Sequence, residues 1–119
     1  MKLINHTKRF LRNGPPTITV KRIGTIYLSN TLVKSIGAKA GDTISILQNT
    51  ENPGEWYLSF IEGGVKLRHV GKDTKALLCN SARAANGILE TVGRHEMARM
   101  IVSTNASNGY YPIVTSSAV

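Results

Sequence analysis

The stretch G-T-I-Y-L-S-N-T-L-V-K-S-I-G-A-K-A-G-D, residues 24 to 42, switches from strand-like to helix-like spacing and back within a few residues. Ile26, Tyr27 and Leu28 suit a short strand, Ser29 or Asn30 can cap a helix, and Leu32, Val33 and Ile36 share one face of that helix. Gly37 stands where a left-handed residue ends a helix, and Ala40-Gly41-Asp42 reads as a turn into a strand over residues 43 to 48. The helix has about two turns, too short to dominate the fold. The expected class is therefore mostly β with two short helices, an α+β chain of short elements.

Residues 17 to 28 have β-branched residues spread throughout, with Gly24 interrupting, which predicts a strand broken by a bulge or a tight turn. Residues 49 to 54 have hairpin-loop composition, residues 56 to 61 read as a strand, and Gly63-Gly64 closes the first half. The second half repeats this order. Residues 65 to 70 and 75 to 79 are strand-like, and Asn80 or Ser81 can cap a helix that has Ala82, Ala85, Leu89 and Val92 on one face. Gly93 ends that helix and another hairpin follows.

Setting T-I-Y-L-S-N-T (25 to 31) over K-A-L-L-C-N-S (75 to 81) aligns Leu28 with Leu78 and Asn30 with Asn80. Setting residues 46 to 58 over 101 to 113 aligns Ile46 with Ile101, Gly54 with Gly109 and Trp56 with Tyr111. The pattern predicts an internal duplication, two strand-helix-hairpin units at 17–62 and 65–115 sharing one core in a single domain at 17–119. A lone unit of about 50 residues would be marginal. The competing account is that two such units look alike because strand, cap, helix and glycine form a common local order.

Charge is concentrated at one end. The net charge is +8, and residues 1 to 41 carry Lys2, Lys8, Arg9, Arg12, Lys21, Arg22, Lys34 and Lys39 with no acid, whereas seven basic and seven acidic residues cancel from 42 onward. Such a one-sign block is the footprint of a polyanion binder. Residues 1 to 16 read as a basic flexible arm that ends in the extended Pro15-Pro16 pair. Lys8, Arg9, Arg12, Lys21, Arg22 and Lys34 are the candidate nucleic-acid contacts, since phosphates require cations on an arm or a rigid edge and no fixed spacing. The same residues would serve equally as ordinary solvated charge. Tyr27, Trp56, Tyr57, Phe60, Tyr110 and Tyr111 lie on strand candidates, where core or cross-strand packing competes with base stacking.

An enzyme is not expected, and neither a cofactor, a metal nor a small-molecule substrate is called for. His95-Glu96 lacks the second histidine of a zinc-binding H-E-x-x-H, and His6, His69 and His95 are scattered. Cys79, the only cysteine, excludes an internal disulfide and reads as a small buried or capping residue at the place matching Ser29. No apolar run approaches the length of a membrane span, and the first residues lack the apolar core of a signal peptide, so a cytoplasmic protein without membrane partners is expected.

Gly24, Ile26, Leu28, Leu32, Ile36, Gly37, Lys39, Gly41, Asp42, Ile44 and Ile46 together resemble the swapped-hairpin β-barrel domain of the AbrB, MazE and SpoVT family. The likeness covers residues 18 to 60, about a third of the chain, and extends more faintly into residues 65 to 115. It implies an AbrB-like barrel and a small DNA-binding transcriptional regulator or antitoxin-type binder. The family starts its helix with proline where Ser29 stands, and it has basic DNA-contacting residues where Thr25 and Val33 stand. Those two roles do not carry over, but Lys21, Arg22 and Lys34 lie nearby. The family is normally a dimer of single units, whereas a duplicated chain can close an equivalent barrel alone. Two other readings stay open: a structural or assembly protein of a phage or mobile element whose basic arm enters a partner subunit or a further copy in a homo-oligomer, and a single-stranded nucleic-acid binder resembling the Whirly-type coactivators.

Overall fold

The computed structural model describes residues 14–61, 63–71, 74–106 and 108–119. Lys8, Arg9 and Arg12, with most of the expected arm, lie outside the described residues. The β-branched stretch splits into β1 (Thr17–Lys21) and β2 (Thr25–Leu28), because the chain turns where Gly24 N–H donates to the Lys21 carbonyl at 2.9 Å. After α1 (Asn30–Ile36) come β3 (Thr43–Gln48) and β4 (Trp56–Ser59). The second half contributes β5 (Val65–Lys66), β6 (Arg68–His69), β7 (Leu77–Asn80), α2 (Ala82–Val92), β8 (Met97–Val102) and β9 (Tyr111–Val114). The expected strand over 65–70 is thus two short pieces, and the one expected over 56–61 stops at Ser59.

All strand pairs are antiparallel, in the order β5-β3-β4-β9-β8-β1-β2-β7-β6. The sheet curls into a nearly closed barrel, since its two ends, β5 and β6, are parts of one bent stretch. Leu67, at the bend, exchanges backbone hydrogen bonds of 2.8 Å with Gly41 and Asp42 and buries its side chain. The halves interleave. β1 lies between β2 and β8, while the bent stretch meets β3 through β5 and β7 through β6. Cross-half pairing also joins β2 to β7 and β4 to β9.

Strict alternation sends Ile18, Val20, Ile26, Leu28, Leu77, Cys79, Ala98, Met100 and Val102 inward. The helices cover the barrel on short connections. Ser29 Oγ accepts from Leu32 N–H at 3.2 Å and Ser81 Oγ from Ala84 N–H at 3.3 Å, so the serines and not Asn30 or Asn80 are the caps. Gly37 (φ 70°, ψ 29°) and Gly93 (φ 71°, ψ 26°) end the two helices in the same left-handed conformation. On α2, Ala85, Ile88 and Leu89 face the core, and Trp56 lies across Gly87 with its indole N–H donating to Thr91 Oγ1 at 3.0 Å.

The alignment of the halves shifts by one residue at β2 and β3, while Trp56 and Leu58 stay in phase with Tyr111 and Ile113. Inward Ile26 and Leu28 correspond to inward Leu77 and Cys79, not to outward Leu78, and inward Ile46 corresponds to Val102, not to exposed Ile101. Cys79 is therefore a core residue of β7, with the cap two residues further on. Residues 14–16 are tied to the barrel: Gly14 C=O accepts from Thr31 Oγ1 at 3.2 Å and Pro16 C=O from Val102 N–H at 3.0 Å. Among the described residues, no helix is long and apolar enough to cross a membrane.

Candidate nucleic-acid interface

The alternation that fills the barrel turns the other set of side chains outward. On β8 these are Met97, Arg99 and Ile101; on β1, Thr17, Thr19 and Lys21; on β2, Thr25 and Tyr27; on β7, Leu78 and Asn80. Register then fixes a row. Arg99 is opposite Thr19, Thr19 opposite Tyr27, Tyr27 opposite Leu78, and Leu78 opposite Arg68 of β6. At a strand spacing of about 4.8 Å the two arginines stand roughly 19 Å apart along the curved sheet. None of these outward positions is acidic.

Lys21 sits beside the row, its Nζ 5.1 Å from the centre of the Tyr27 ring. That cation–π contact orients the ammonium along the sheet while the tyrosine stays half-buried. Arg22, in the β1–β2 turn, is exposed and donates from Nη1 to His95 Nδ1 at 3.1 Å. The turn is held rigidly. Arg22 N–H donates to Glu96 C=O at 2.9 Å, Ser81 N–H to Gly24 C=O at 2.8 Å, and Asn86 Nδ2 to Arg22 C=O at 3.2 Å. Gly24 is required here, since a Cβ would sit 3.1 Å from the backbone of Ala82 at a φ of 110°.

Of the acids among the described residues none is on the row itself, and Glu96, next to Met97, is the one at its Lys21–Arg22 end. Glu55, on the β3–β4 hairpin, is held below the usual carboxylate range by hydrogen bonds from Tyr57, Asn49 and Asn52, and Tyr57 is correspondingly raised. Asp42 accepts from Lys39 N–H at 2.9 Å, and Glu96 approaches His95 Nε2 at 3.8 Å. Burial pushes the Cys79 thiol up to about 11, with the charge of Arg68 working the other way. A buried, protonated thiol is a poor nucleophile. Among the described residues, no group of three or more His, Cys, Asp or Glu could hold a metal ion.

No family model matches the chain, and no curated protein or solved structure is significantly similar to it. The site therefore rests on its own geometry.

Of the sequence candidates, Lys21 and Arg22 fall together at one end of the outward face. Lys34 does not join them: it is exposed in the last turn of α1, beyond the opposite end of β2. Sequence charge alone does not single out Arg68 and Arg99. Alternation in M-A-R-M-I-V marks Arg99 as outward, but only the cross-half pairing brings it and Arg68 onto one surface. Of the aromatic candidates, Trp56 is core, while Tyr57–Tyr110 and Phe60–Tyr111 form edge-on pairs at 6.2 and 6.4 Å on or beside β4 and β9.

Proposed function

We propose that this protein is a non-enzymatic DNA-binding protein, a small regulator or antitoxin-type binder of the AbrB-like kind. Its outward β8-β1-β2-β7-β6 face lies against the phosphates of a duplex. The observation that carries the reading is the outward strand face, whose named positions include no acid, with Arg99 and Arg68 at its margins and Lys21 and Arg22 at one end, where Glu96 is the neighbouring acid. A span of roughly 19 Å exceeds the major-groove width of about 12 Å, so cations at the two margins reach phosphates on both sides of a groove. The outward Thr19, Thr25 and Asn80 supply hydroxyl and amide groups between them.

The exchange of strands between halves supports the swapped-hairpin resemblance: β1 and the bent β5–β6 stretch each bridge one strand of their own half and one of the other. On this reading the chain is a duplicated unit that closes by itself the barrel two family protomers would form. No cofactor enters the mechanism, which is neutralisation of phosphate charge by a rigid surface.

The test is a titration of labelled duplex and single-stranded DNA at two salt concentrations. Duplex binding that weakens steeply with salt supports the proposal. Preference for the single strand would favour base stacking, and absence of binding to either would refute the reading.

A further inference from the structure

A second cationic surface is formed by residues of both halves, at the end of β2 and β7 opposite Lys21 and Arg22. The loop after α1 and the segment leading into β7 enclose a cleft of about 520 Å³. Val33, Ala38 and Leu77 line it with apolar groups, and Lys39, His69 and Lys75, all exposed, supply its charge. It is built like the first. There, the segment entering β2 is fastened to α2 by Asn86; here, the segment entering β7 is fastened to α1, with Thr74 Oγ1 donating to Asn30 Oδ1 at 2.8 Å. Lys39 stands two residues beyond the cap glycine Gly37, the position His95 holds beyond Gly93. The antiparallel β2–β7 pair relates the two surfaces by an approximate twofold.

We infer that this cleft is a second phosphate-binding surface, and that one copy of the chain grips two separate stretches of backbone on the same nucleic acid. The inference rests on the DNA-binding reading above. Charge complementarity selects the occupant: Lys39, Lys75 and His69 line the cleft, and no acid is among its described lining residues. Asp73, next to Thr74 in the sequence, lies outside the described residues, and Asp42 accepts from the Lys39 backbone N–H.

The experiment compares the intact chain, a Lys39→Ala/Lys75→Ala variant and a Lys21→Ala/Arg22→Ala variant on a short labelled duplex of random sequence over a range of salt. Each pair contributes up to two phosphate contacts, so each variant should flatten the slope of log affinity against log salt by up to about 1.8, from roughly 0.9 per contact. One chain per duplex should remain the stoichiometry for all three. If the intact chain fails to bind, the DNA-binding reading falls and takes this inference with it. If the intact chain binds and the Lys21/Arg22 variant weakens while Lys39→Ala/Lys75→Ala keeps affinity and slope, the second surface alone is refuted. A shift of the His69 ring resonances with inorganic phosphate but not with duplex would likewise overturn it, making the cleft a small-anion pocket.

Discussion

Gly37 has φ 70° with nothing within 4 Å of an added Cβ, so its role is conformational and not steric. Gly37→Ala should cost about 1 kcal/mol from the left-handed backbone alone, and Gly37→Asn less, since asparagine tolerates that region. Thermal unfolding of the two variants checks the order: Ala as stable as the parent would contradict the cap. Cys79 gives a pH prediction. Its thiol is raised from an ordinary value of 9.0 to about 11 by burial, so between those values the unfolded chain loses this proton and the native one keeps it. The stability it contributes is full below pH 9 and is lost as pH rises towards 11. Lysines and tyrosines titrate in the same range, so the readout is a difference: Cys79→Ala should fall less steeply than the parent in denaturant midpoints over that window. Parallel curves would place the thiol in contact with water.

Among the elements, α2 shows how a helix is seated by one small residue. A Cβ at Gly87 would come within 2.7 Å of the Trp56 ring, which is buried and tethered to Thr91. Helix propensity alone favours Gly87→Ala by about 1 kcal/mol, yet the ring has no room to move, so the substitution should lower the melting temperature. A rise would show that the helix is free to shift outward. Element positions were largely legible in the sequence because caps, cap glycines and alternation are local signals: Ser29, Gly37, Ser81 and Gly93 bound both helices as their chemistry requires. The break at Leu67 was not legible, since it arises where one stretch leaves β3 for β7. Half of the candidate surface escaped for a related reason. Lys21 and Arg22 stood out by sequence charge, whereas Arg68 and Arg99 gain their meaning from register between distant strands, and Lys34 was grouped by proximity in sequence that the fold does not preserve.

For the whole molecule, the interleaving of β1 with β8, β2 with β7 and β4 with β9 predicts that neither half folds alone. Residues 15–62 and 63–119 expressed separately should each lack a cooperative transition as monomers, because the strand faces of each are covered by the other. A fragment that melts cooperatively as a monomer would contradict the shared barrel, and the two mixed fragments should recover the transition. The central claim is that the outward face binds duplex DNA through its cations. Its most direct measurement is the salt dependence of duplex affinity for the intact chain and for a Lys21→Ala/Arg68→Ala/Arg99→Ala variant of unchanged melting temperature. Loss of three phosphate contacts predicts a slope shallower by about 2.7, at roughly 0.9 per contact, with weaker binding on every sequence tried. Equal affinity and equal slope for parent and variant would contradict the account.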